Sequence, residues 1–94
     1  MLEQVLPVGT VVLLTGETKR LMILGYQQRT VKEPDKVYDY IGCTYPEGFL
    51  GVEEMLAFNH SDIAHIFALG LQNEEQIAFR AELEQQLDKQ NLRK

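Results

Sequence analysis

At 94 residues the chain falls short of the roughly 150 of a typical domain, so it reads as one domain spanning residues 1–94 and a two-domain reading is excluded. Fourteen acids against nine bases leave a net charge of −5, whereas nucleic-acid binders carry an excess of Lys and Arg to neutralise phosphates. Sequence-independent binding of DNA or RNA is therefore not expected, and 45% hydrophobic against 24% charged residues excludes a disordered chain.

The first element is Val11-Val12-Leu13-Leu14, an aliphatic run entered through Pro7 and Gly9 and left through Thr15-Gly16-Glu17-Thr18. It reads as a strand followed by a turn. Arg20-Leu21-Met22-Ile23-Leu24-Gly25-Tyr26 follows after a loop of hairpin length, so the two strands are expected to pair antiparallel. Both are apolar on both faces, which means that neither side of the sheet is simply open to water. One face should meet a helix; the other needs a cover too.

Residues 27–36 are polar and carry Pro34, a solvent loop. From Val37 to Tyr45 the pattern alternates, with Val37, Asp39, Ile41 and Cys43 on one face and Tyr38, Tyr40 and Thr44 on the other, so a third strand is expected. Gly42 in mid-strand points to a bulge or a close approach by a neighbour. The segment at residues 49–57 fits a helical turn or an irregular excursion equally. Asn59-His60-Ser61-Asp62 carries turn and cap chemistry, and Ile63 to Leu69, closed by Gly70, is read as the last strand. A long helix then opens at Asn73, an N-cap, with Glu74 and Glu75 at the positive end of the helix dipole and Gln76 at the capping-box position. Lys89, Arg93 and Lys94 answer the negative end. Phe79, Leu83 and Leu87 form one stripe, with Ile77 and Ala81 beside it. The fold class is α+β: a mostly antiparallel sheet of about four strands over residues 8–70, with a C-terminal helix over residues 73–91.

The chemistry-bearing residues are sparse. Cys43 is alone, so it forms no internal disulfide, and a reducing compartment fits best. His60 and His65 are five apart, which suits neither one helix face nor one strand face, so no metal and no cofactor are expected. His60 is expected to cap or pad a turn and His65 to lie on the sheet surface. Asp39, beside apolar Val37 and Ile41, is expected to pair with a Lys or Arg of a neighbouring strand. Gly9, Gly16 and Gly25 have no nucleotide-binding spacing. An enzyme is therefore not expected. Tyr26, Tyr38 and Tyr40 fit either the centre of an interface or an aromatic cluster covered by the chain itself. Together with Phe79, Leu83 and Leu87 they are the candidate protein-interaction residues. A homodimer is compatible with a small domain carrying two apolar sheet faces.

Charge is uneven. Residues 1–45 balance five acids with five bases, and between Glu47 and Asp88 nine acids face the single base Arg80. That half suits a basic partner or simply a solubilising surface. No aliphatic run approaches the eighteen or so residues of a membrane span, and residues 1–7 lack the basic and apolar regions of a secretory signal, so a cytoplasmic protein without membrane insertion is expected.

Leu6-Pro7-Val8-Gly9-Thr10-Val11-Val12-Leu13-Leu14, Gly16 to Ile23, Tyr38-Asp39-Tyr40-Ile41-Gly42-Cys43, Tyr45-Pro46-Glu47-Gly48 and Phe58-Asn59-His60-Ser61-Asp62-Ile63 together resemble the "domain of unknown function" family four-one-seven-six of Gram-positive bacteria. The resemblance covers residues 6–85 and carries no catalytic motif. Because members of that family typically sit beside type VII (ESX-like) secretion genes and polymorphic toxins, it implies an accessory, chaperone or targeting role towards a secreted effector. An immunity protein that caps a basic toxin surface and a small-ligand-binding domain around Asp39, the tyrosines and His60 are the other readings.

Overall fold

The computed structural model describes residues 5–92, with side chains to Asp88. Five strands form one antiparallel sheet: β1 (Val11–Leu14), β2 (Leu21–Gln28), β3 (Tyr38–Thr44), β4 (Leu56–Phe58) and β5 (Ile63–Ala68), in the order β4-β3-β2-β1-β5. Helix α1 (Glu74–Leu92) follows. The fold is thus α+β with a C-terminal helix. The strand count corrects the expected four, because β4 occupies the segment that the sequence left open. It is only three residues long and lies between single 3-10 turns at Val52–Glu54 and His60–Asp62.

A flat sheet of five strands would hold its outer members about 19 Å apart. Yet only Asn59 and the turn His60–Asp62, advancing about 2 Å per residue, lie between β4 at one edge and β5 at the other. The sheet therefore curls towards an open barrel. Three irregularities provide the bend: the β2–β3 register shifts between Ile23 and Gly25, and the β1–β5 register shifts between Val11 and Val12 and again between Leu13 and Leu14. Gly42 sits opposite the first. A Cβ there would stand 2.5 Å from the Met22 carbonyl oxygen and 3.4 Å from the Phe58 ring, so only glycine fits.

The concave side holds the core. Val12, Leu21, Ile23, Tyr40 and Phe58 are buried with Val5 and Leu6, while Leu14, Tyr26, Ile63, Leu83 and Leu87 pack against them. Strand alternation sends Val11, Leu13, Met22, Ile41, Cys43 and Ala57 to the convex side, where Val11 and Cys43 are buried, the other four are half-buried and no second α-helix lies among the described residues.

Helix α1 starts as expected: the Asn73 side-chain oxygen accepts the Gln76 N–H at 2.9 Å. The reciprocal half of the expected capping box is absent, and the Gln76 side-chain oxygen is buried without a partner. Arg93, Lys94 and the Lys89 side chain, the expected basic end, lie outside the described residues. The helix turns Gln76, Arg80, Leu83, Glu84 and Leu87 inward and buries none of them fully.

Candidate protein-interaction surface

Tyr26, Tyr38 and Tyr40 share the concave face of the sheet, and Tyr40 is the one that is fully buried. Tyr26 and Tyr40 are cross-strand partners on the concave side, with ring centroids 5.8 Å apart, and Tyr40 stacks in turn on Phe58 at 5.6 Å. Tyr40 is 0% exposed. Burial pushes its hydroxyl up to about 12, reinforced by the nearby Asp39, Tyr26 and Glu84 and opposed by the Leu6 amide. Burial also raises Tyr26, against the lowering influence of a backbone hydrogen bond and of Arg80.

Both hydroxyls hold the irregular segment that precedes β1. The Leu6 N–H donates to Tyr40 Oη at 3.1 Å, Tyr26 Oη donates to the Leu6 carbonyl, and the Val5 N–H donates to Glu84 Oε2 at 3.0 Å. Further along, the Thr10 hydroxyl donates to the Pro7 carbonyl and accepts the Gly70 N–H, tying the segment to the end of β5. Residues 5–10 are thus a strap across the open side of the sheet, fixed by side chains at Val5 and Leu6 and by main-chain bonds at its end, where the Gly9 N–H donates to the Ile23 carbonyl and the Ile23 N–H donates to the Thr10 carbonyl. Sequence reasoning missed Val5, Leu6 and Glu84. Their only signal is an apolar pair before Pro7, since the partners lie far away in the chain.

Asp39, His60 and Tyr40 do converge. Tyr40 Oη lies 2.8 Å from His60 Nδ1. The Leu6 N–H donates to the Tyr40 oxygen, and which of Tyr40 and His60 donates in the bond between them is set by the imidazole tautomer. Asp39 Oδ2 accepts the main-chain N–H of His60 at 2.8 Å, and the Asp39 N–H donates to Asn59 Oδ1 at 3.1 Å. This corrects the expected pairing of Asp39 with a basic side chain: the turn after β4 supplies amide partners instead. The carboxylate meets the His60 backbone rather than its imidazole, so the three groups do not form a proton relay. They latch the turn His60–Asp62 to β3. Among the described residues no three His, Cys, Asp or Glu side chains come together as a metal site. Cys43 is a buried free thiol.

The remaining candidate residues lie nearer the surface. Tyr38 is half-buried, donates to Glu33 and carries Lys36 over its ring at 4.8 Å. Leu83 and Leu87 pack on the core. Phe79 leans on Tyr26 with ring centroids 5.9 Å apart, yet is 52% exposed, and Ile77 and Ala81 are exposed beside it. Other apolar side chains lie in the open: Phe49 and Leu50 before β4, Ile66 and Phe67 on β5, and Leu69 and Leu71 after it. Such exposure on a small domain marks surface that a partner can cover. No helix among the described residues is long and apolar enough to cross a membrane.

A family model matches residues 5–79, from the first residue of the strap through all five strands into α1. The chain belongs to the family "Domain of unknown function (DUF4176)". It matches no curated protein and no solved structure. The DUF4176 match takes in Tyr26, Tyr38, Tyr40 and Phe79 and stops short of Leu83, Glu84 and Leu87, so the strap and its two tyrosine latches belong to the family region, while the helix contacts that close the core lie beyond it.

Proposed function

We propose that this DUF4176 protein is a non-catalytic adaptor that binds another protein, acting as chaperone or targeting factor for an effector secreted by a type VII system. The observation that carries the reading is the one-sided cover of the sheet. Helix α1 and the strap close the concave side, while on the convex side Val11 and Cys43 are buried but Leu13, Met22, Ile41 and Ala57 are covered only in part, and Phe79 and Ile77 of the helix are about half exposed. A partner that covered these residues would add apolar burial that so short a chain lacks. The convergent polar groups, Asp39, His60 and Tyr40, are each committed to structural hydrogen bonds, which favours binding over chemistry.

The test is co-expression with the effector encoded beside its gene. A complex of fixed stoichiometry on size-exclusion chromatography with light scattering is expected, and separate elution of the two proteins overturns the reading. The nine acids between Glu47 and Asp88 favour immunity as a second reading. In that case the protein, expressed alone, protects cells from the toxin, whereas an adaptor gives no protection.

A further inference from the structure

The two edges of the sheet are built differently. At one, β4 has three residues and is closed at both ends by 3-10 turns, which is how natural sheets blunt an edge. At the other, β5 runs for six residues, Ile63-Ala64-His65-Ile66-Phe67-Ala68, with no charge, proline or glycine, and every residue from Ala64 to Ala68 is exposed. Inward it pairs only with β1. Ile66 and Phe67 are each 41% exposed, and neither strap nor helix shelters the outer side of the strand. Of the usual protections β5 carries one, the two register shifts against β1 that leave Phe67 and Ala64 as extra residues, and among the described residues it lacks edge charge, proline, shortness and a covering element.

We propose that β5 is a docking edge that accepts an extended, uncharged, β-branched segment of a partner protein with Lys or Arg on its flanks, added as a sixth strand. The backbone groups on the outer side of an edge strand supply affinity without reference to sequence, and alternate side chains supply selection. Charge chooses the partner. Asp62 stands immediately before β5, Glu17 lies in the turn whose Thr15 N–H bonds to the Asp62 carbonyl, and Glu74 and Glu75 open the helix that follows. The single cation at the strand is Arg20, held over the Phe67 ring at 4.3 Å. Antiparallel pairing with a second copy of this chain would set the Asp62 end of each β5 against the end of the other that leads to Glu74 and Glu75, whereas a basic-flanked strand meets both ends with opposite charge. The inference rests on the adaptor reading and locates the site through which it acts.

The probe is the synthetic peptide Lys-Lys-Val-Thr-Val-Thr-Val-Lys-Lys, titrated into isotope-labelled full chain, with a twin carrying Glu at the flanks. Amide shifts confined to β5 and β1 are expected, with about tenfold weaker binding of the acidic twin. Phe67→Lys and Ala64→Lys should each abolish the shifts while the circular dichroism stays native; the second variant leaves the Arg20 contact intact. Shifts centred elsewhere, equal binding of the twins, or concentration-dependent β5 shifts without peptide overturn the proposal, the last because a second copy then fills the edge. An effector that co-purifies equally with wild type and both variants removes the edge site and leaves the adaptor standing. Peptide binding at β5 with no effector complex does the reverse.

Discussion

Tyr40 couples three parts of the molecule through one oxygen. It accepts the Leu6 N–H, shares a hydrogen bond with His60 Nδ1 and packs on Phe58. Tyr40→Phe keeps the ring and removes both bonds, leaving a buried Leu6 N–H without a partner at a cost of about 1–3 kcal/mol. Urea unfolding measures this, and a loss within error of zero shows that water replaces the hydroxyl. The same residue sets an alkaline limit. Its folded-state ionisation is raised from 10.0 to about 12, so the neutral form is favoured in the fold. The stabilisation is complete below pH 10 and is lost as pH rises through the interval to about 12. Tyr26 shifts in the same direction and adds to the loss. Wild type should therefore lose stability steeply over this interval, and Tyr40→Phe less steeply. Parallel curves for the two proteins would contradict the assignment. Strand alternation in the sequence correctly puts Tyr38, Tyr40 and Thr44 on one face, but it cannot say which face the helix covers, and that decides whether Tyr40 is core or surface. The strap was unreadable for a related reason: its bonds join Leu6 to Tyr40 and Val5 to Glu84, and no local pattern encodes them.

Among the elements, β1, β2, β3, β5 and α1 were legible because each has a run long enough to show a period and a turn or cap to end it. β4 was not. Leu56-Ala57-Phe58 is too short for alternation to register, and the Val52-Glu53-Glu54 before it favours a helical turn, which it forms. The sequence pattern of α1 offers two stripes without ranking them. The structure turns Leu83 and Leu87 to the core and leaves Ile77 exposed. Leu83→Ala and Leu87→Ala should each cost about 1–3 kcal/mol, below the range for fully buried leucines because both are half-exposed. Ile77→Ala should fall within about 0.5 kcal/mol of wild type. Chemical denaturation of the three variants ranks the stripes, and an Ile77→Ala loss equal to that of Leu83→Ala would mean that the helix packs on its other face.

For the molecule as a whole, the acid excess between Glu47 and Asp88 acts on stability and on association with opposite signs. Among the described residues the one ion pair is Lys19 with Glu47 at 2.8 Å, both ends exposed, and such pairs contribute little. The carboxylates of α1, Glu74, Glu75, Glu82, Glu84 and Asp88, have only Arg80 among them up to Asp88, so they repel one another in the folded state. Raising NaCl from about 0.05 to about 0.3 M shortens the screening length from about 14 to about 6 Å and relieves that repulsion. The isolated protein should gain about 2–4 °C in melting temperature, equivalent to about 0.5 kcal/mol for a domain of this size. The same screening weakens the field that draws a basic partner in, so the association rate with such a partner should fall over the same range, while dissociation changes little. Differential scanning fluorimetry reads the first effect and stopped-flow mixing the second. A melting temperature that falls with salt would place the acids in favourable pairs within the fold, and they would then be unavailable to steer a partner.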